Sequence, residues 1–154
     1  MAYTKKTVLI TGSTRGIGLA LVEHYTKTGW NVIATSRATR SVKLDASDES
    51  SVLKAAHELT GVPIDLLTNN VGIAQPTTFA MTTKDSLMQQ LEVNVTGPFL
   101  VTPALLPNVE LAVKTRGKAV VLQVSSVVGS ISHNKEENAH LVRGHYGYVT
   151  SKAA

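Results

Sequence analysis

Hydrophobic and polar positions along the chain follow two rhythms. Short β-branched apolar runs read as strands, and longer stretches with a helical stripe read as helices. Thr7–Thr11 (TVLIT) is such a run, the mark of a strand buried on both faces. Gly12–Gly18 is a glycine-rich turn. Ile17–Thr28 then places Ile17, Leu19–Val22 and Tyr25 at helical spacing, with Gly29 as a stop. Asn31–Ser36 (NVIATS) reads as a second strand. Asp48–Leu59 reads as a helix capped by Asp48 or Ser47, with Val52, Leu53, Ala56 and Leu59 as its stripe. Pro63–Thr68 is another strand and runs into Asn69-Asn70-Val71-Gly72. A long helical stretch from about Thr83 to Lys114 is broken or bent at Pro98, Pro103 and Pro107. Lys118–Val124 is a further strand, and a last helix starts near Tyr146.

Strands alternating with helices predict an α/β fold with a doubly wound parallel sheet. Ligands of such folds sit beyond the carboxyl ends of the strands, and each motif below falls at such an end. With 154 residues and neither repeats nor linkers, the chain reads as one domain, residues 1–154. At 43% hydrophobic and 17% charged it is globular rather than disordered. The absence of cysteine excludes a disulfide framework, thiolate zinc sites and a cysteine nucleophile, and it fits a reducing compartment. The start, MAYTKKTVLITG, has too short an apolar run for a signal peptide or membrane span, so the expected location is cytoplasmic, without membrane association. The net charge of +4 is scattered rather than clustered. That pattern suits a polyanionic small ligand better than nucleic acid.

The turn Thr11-Gly12-Ser13-Thr14-Arg15-Gly16-Ile17-Gly18 has a strand before it and a helix after it. Glycines let a pyrophosphate approach the backbone, and a helix N-terminus offers unpaired N–H groups and a positive dipole end. The spacing is G-x-x-x-G-x-G rather than the commoner G-x-G-x-x-G. A tight turn with incidental glycines is the competing reading.

Further pieces occur downstream: NNVG at Asn69–Gly72, EVNVTGPF around Asn94, SSVVG at Ser125–Gly129 and YVTSK at Tyr148–Lys152. Together with TGSTRGIG, and in this order, they resemble the short-chain dehydrogenase/reductase family, with the flavour of its carbonyl reductases. The resemblance spans nearly the whole chain. It implies a Rossmann-like sheet of order about 3-2-1-4-5, and a dinucleotide cofactor held by Gly12, Ser13, Thr14, Arg15, Gly16, Ile17 and Gly18. It further implies that Asp45 meets the adenine amino group and that Asn70, Val71 and Gly72 line the adenosine side. Val71 stands where the family usually has Ala. A small-molecule carbonyl or alcohol is the implied substrate, and no metal is implied. The histidines at 24, 57, 133, 140 and 145 have no metal-ligand spacing and read as surface or loop residues.

A 2′-phosphate on the cofactor calls for positive charge, whereas a free ribose diol is usually held by a carboxylate. The second strand ends in Ala34-Thr35-Ser36-Arg37 without an acid, and Arg15 lies in the glycine turn. This favours NADP(H) over NAD(H). The competing reading is that both arginines are merely solvated.

Tyr148 and Lys152 are one helical turn apart. A free phenol is hardly ionised near neutrality, and a neighbouring ammonium stabilises the phenolate. Such a pair can serve as general acid and base towards an alkoxide. Tyr146 lacks this relation because Thr150 follows it. By resemblance Tyr148 is the proton donor, and Lys152 also holds the nicotinamide ribose. Ser126 bonds the substrate oxygen, and Asn94 holds a water linked to Lys152. A hydrolase triad built on Ser126 has no G-x-S-x-G elbow to support it.

Three departures from the family qualify this expectation. Only Ala38-Thr39-Arg40 separates the second strand from the stretch Ser41–Leu44, too little for the crossover helix that parallel strands normally need. This puts Asp45 and the adenine pocket in doubt. A polar piece around His133–Leu141 lengthens the segment between Ser126 and Tyr148, and reads as a lid or as a tolerated surface excursion. The sequence stops at the Tyr148 helix, so the family's C-terminal strands and substrate loop are missing and Lys118–Val124 is expected as an exposed edge. In the family the last two helices commonly form a dimer interface, which implies a homo-oligomer. The alternative to an enzyme is a shortened non-catalytic dinucleotide-binding or protein-interaction module.

Overall fold

The computed structural model describes residues 5–38 and 42–154. In chain order its main elements are β1 (Thr7–Ile10), α1 (Gly16–Lys27), β2 (Asn31–Ser36), β3 (Val42–Lys43), α2 (Glu49–Glu58), β4 (Leu66–Asn69), α3 (Lys84–Leu91), α4 (Gly97–Arg116), β5 (Val120–Gln123), α5 (Ala139–Val142) and α6 (Tyr146–Ala153). They form two compact units. One runs up to Val71 and takes in Pro98–Val124; the other comprises Gly72–Gly97 and Ser125–Ala154. Among the described residues no helix is long and apolar enough to cross a membrane.

The first unit holds a five-stranded sheet in the order β3-β2-β1-β4-β5, parallel at every pairing. Val8, Leu9 and Ile10 of β1 are fully buried, as a central strand covered on both faces requires. Leu9 and Leu67 face a core shared with Val52 and Ala55 of α2, Leu59 just past its end, and Val101, Leu105 and Val109 of α4. Val8, Ile10 and Leu66 face the opposite side, against Leu21, Val22 and Tyr25 of α1. Asn108 ties α4 to the end of α2, its Nδ2 donating to the carbonyls of Leu59 (2.6 Å) and Val62 (2.9 Å). A buried salt bridge joins Arg116 to Asp65, whose carboxylate also accepts the Thr7 N–H at 2.7 Å.

The expected helix α2 forms with Asp48 as its cap, but its buried face differs. Ala55 is buried, and Leu53 is 56% exposed because it lies a helical step off the Val52–Leu59 line. The third strand is present despite its short approach, pairing Thr35 with Val42 and Ser36 with Lys43. Of the expected link Ala38-Thr39-Arg40, Thr39 and Arg40 lie outside the described residues, as does Ser41 at the start of the expected strand. Pro103 and Pro107 do not break the long helix. They sit inside α4 on its exposed side, where water can satisfy the carbonyls that lose their partners. The interruption falls earlier, at a π-helical turn over Glu92–Thr96.

The second unit packs α3 and the π-turn against α6. The polar piece after Ser126 is folded into short turns, Ile131–His133 and Glu136–Asn138, followed by α5. Arg143 bridges both oxygens of Glu136 at 2.9 and 3.2 Å, and the Thr77 N–H donates to the Gly144 carbonyl at 2.8 Å.

Candidate functional site

The glycine turn joins β1 to α1 in the first unit. Gly12 and Gly16 both have left-handed backbones, φ +66° and +56°, which a side chain would strain. A Cβ on Gly18 would overlap the Gly12 carbonyl and the Asn70 amide, while Gly16 opens onto empty space. Arg15 sits at the N-cap of α1 without a capping side chain, and the first turn carries no acid. A strand-to-helix turn of this form fits a pyrophosphate: unpaired amides, a positive helix end and open room at Gly16.

The turn is held from behind. Asn70 Nδ2 donates to the carbonyls of Thr11 (2.9 Å) and Gly12 (3.2 Å). The N–H groups of Asn70 and Val71 donate to Thr11 Oγ1 at 2.9 and 3.1 Å. The methyls that Val71 adds pack on Gly12. Ser13 is buried, and its hydroxyl donates to the Thr35 carbonyl at 2.9 Å, so its side chain anchors the turn. Thr14, Arg15, Ile17 and Arg37 are exposed, and among the described residues neither arginine pairs with a carboxylate. Asp45 is half-buried, with one oxygen accepting from the N–H (3.1 Å) and hydroxyl (2.8 Å) of Ser47.

The second unit contains Gly72, which is exposed, and all four of Asn94, Ser126, Tyr148 and Lys152. Tyr148 and Lys152 share α6, with Lys152 Nζ 5.7 Å from the Tyr148 ring centre. Both are half-buried, and loss of water around the ammonium holds the Lys152 pKa below the usual lysine value. Tyr146 instead turns its ring edge-on to Phe79 at 5.5 Å. Ser126 caps the turn Val127–Gly129; its Oγ accepts the Val128 N–H at 3.4 Å, which leaves its O–H able to donate. Asn94 lies buried in the π-turn. Its Nδ2 donates to the Ile73 carbonyl (2.9 Å) and to Ser151 Oγ (2.8 Å), and its Oδ1 accepts the Ile73 N–H (2.8 Å). Beyond Ser126 lies a small recess of about 10 Å³, lined equally by apolar residues such as Val127 and Leu141 and by polar ones such as Ser130 and Asn138.

A short chain dehydrogenase profile matches residues 6–154. The chain belongs to the short-chain dehydrogenase family. It is 35% identical to a serine 3-dehydrogenase of Rhizobium radiobacter over 142 residues, covering 79% of this chain and 53% of that one. In structure it is similar to the NADPH-bound carbonyl reductase from chicken fatty liver, with a TM-score of 0.83 and 28% identity over 97% of this chain and 69% of that one. It is also similar to a Brucella ovis short-chain dehydrogenase/reductase in complex with a partially ordered NAD, with a TM-score of 0.76 and 28% identity over 97% of this chain and 72% of that one. This short-chain dehydrogenase sequence spans about half the length of the curated relatives it matches.

Several buried polar residues of the second unit, near the candidate residues in the chain, were not singled out from the sequence. Gln90 is fully buried in α3. Ser151 links Asn94 to the Tyr148 carbonyl, to which its hydroxyl donates at 2.7 Å. His145 lies in the loop before α6, within the expected surface-or-loop reading, but it is half-buried and its Nδ1 has no hydrogen-bond partner among the described residues. Polar residues at helical spacing, such as Gln90 and Asn94 one turn apart, were the available signal.

Proposed function

We propose that the chain carries the cofactor-binding and proton-transfer parts of an NADP(H)-dependent oxidoreductase acting on a carbonyl or secondary alcohol. The observation that carries this reading is the Tyr148–Lys152 pair: a phenol and a desolvated ammonium on one helix, in the same unit as Ser126 and Asn94. A nicotinamide cofactor, when bound, supplies or accepts the hydride. Tyr148 gives its phenolic proton to the substrate oxygen during reduction and takes it back during oxidation. The Lys152 ammonium stabilises the phenolate left behind, and Ser126 donates its hydroxyl proton to the same oxygen. Both amide protons of Asn94 are committed, and its Oδ1 already accepts the Ile73 N–H, so any water it holds towards Lys152 falls to the one remaining oxygen lone pair.

Gly12, Gly16 and Gly18 shape the turn that would hold the pyrophosphate, with Asn70 and Val71 behind it. The exposed Arg15 and Arg37, and the absence of an acid at the tip of β2, support NADP(H) over NAD(H).

Calorimetric titration with NADPH and with NADH, followed by a carbonyl screen, tests the reading. Saturable binding with NADPH favoured and turnover of at least one carbonyl are expected. Tyr148→Phe is expected to abolish turnover and leave NADPH binding nearly unchanged; activity surviving that change would sink the mechanism.

A further inference from the structure

Helix α6 is seated by polar and backbone contacts rather than by an apolar stripe alone. A Cβ on Gly147 would overlap the Gln90 side-chain amide, and a Cβ on Gly129 would overlap the Lys152 carbonyl. Gly147 immediately precedes Tyr148. Its partner Gln90 is fully buried, yet both ends of its amide are hydrogen-bonded. Oε1 accepts the Gln75 N–H at 3.0 Å, and Nε2 donates to the Ser86 carbonyl at 3.2 Å. Gln75 is fixed in turn: its Oε1 accepts from the Ser86 hydroxyl at 2.8 Å, and its Nε2 donates to Gln89 Oε1 at 2.7 Å. The two ends of the Gln90 amide therefore face opposite hydrogen-bond partners, which sets its orientation.

A buried amide is costly unless it is satisfied, and an apolar side chain of similar volume would fill the same space. What a satisfied amide adds is a defined orientation. A flat amide against a bare α-carbon also fixes the height at which α6 rests. We infer that Gln90 and Gly147 are positioning residues that set where Tyr148 stands. This rests on the reading of Tyr148 as the proton donor. An error of about 1 Å in placing such a group can lower the rate about a hundredfold.

The test uses the full chain and the variants Gly147→Ala, Gln90→Ala, their combination, and Gln90→Met, which keeps volume but removes the acceptor of the Gln75 N–H. Each is measured by carbonyl turnover, by NADPH titration, and by NMR of chains labelled at tyrosine Cζ, with the Tyr148 resonance assigned through Tyr148→Phe and Tyr25 as the internal reference. Gly147→Ala is expected to move the Tyr148 resonance but not that of Tyr25, and to lower kcat about tenfold or more with the NADPH dissociation constant within about twofold. Gln90→Ala in the same chain makes room for the added methyl, so the double variant should recover kcat and the Tyr148 resonance relative to Gly147→Ala alone. Gln90→Met should move the Tyr148 resonance even if Gly147→Ala does not fold. An unmoved Tyr148 resonance in both Gly147→Ala and Gln90→Met overturns the inference, as does a double variant whose losses simply multiply. A wild-type chain without turnover would count against the proposed function instead, and the resonances would still decide whether the seat exists.

Discussion

Lys152 shows how one residue's burial becomes a measurable property. Desolvation holds its folded-state pKa below the ordinary value of 10.5. Between those two values the unfolded chain binds more protons than the folded one, so stability rises with pH across that window. Below the folded value the full cost of burying the charge applies. Lys152→Met is therefore expected to raise the thermal midpoint at neutral pH, with the gain shrinking as the pH approaches 10.5. Thermal unfolding at a series of pH values checks this, and a gain independent of pH would refute it. In the proposed mechanism the same substitution also takes away the ammonium beside the Tyr148 phenol, so turnover is expected to fall while stability rises.

At the level of elements, the β1–α1 turn and the end of β4 act as one piece. Thr11 Oγ1 gathers two amides from the strand end, and Asn70 returns two hydrogen bonds to the turn. Gly18→Ala would drive a methyl into the Gly12 carbonyl, a backbone atom with little freedom to yield. The expected cost is about 1–3 kcal/mol of stability, with a clear loss of NADPH affinity, read by denaturant unfolding and calorimetry. Arg15→Ala together with Arg37→Ala should leave stability unchanged and reduce the preference for NADPH over NADH; an unchanged ratio of dissociation constants would show that neither arginine reads the 2′-phosphate. Helix α4 illustrates another limit on local reasoning. Prolines break helices by leaving carbonyls unpaired, but on the exposed side of a helix anchored by Val101, Leu105, Val109 and Ala112 that cost falls on groups water can reach.

At the scale of the whole molecule, β5 is the sheet's outer strand and is exposed along its full length, with Val120 at 53%. An apolar edge without charges offers unpaired backbone groups to another chain. The 154-residue chain is expected to self-associate with rising concentration, and Val120→Lys to suppress that without lowering the thermal midpoint. Sedimentation of the two chains decides it, and equal association would exclude the edge as the cause. The five-stranded core is nevertheless closed on both faces of β1 and β4, with Leu9, Leu67 and Leu105 fully buried. Truncating any of these to alanine should cost about 2–5 kcal/mol.

The amino-acid order by itself determined what depends on short-range spacing: the buried β1 run, the glycine turn, the capped helix after Asp48, and a phenol and an ammonium one turn apart. With the resemblance it also supplied the strand order. Tertiary structure decided what depends on partners distant in the chain. It buried Ala55 and exposed Leu53, and it let two prolines stay inside α4. It retained a third strand where the link looked too short. It committed the Asn94 amide to Ile73 and Ser151, and it placed Gln90 against Gly147. Periodicity reports which face of an element is apolar. Whether a polar group on that element is buried, and what satisfies it there, is set by neighbours that only folding brings within hydrogen-bond reach.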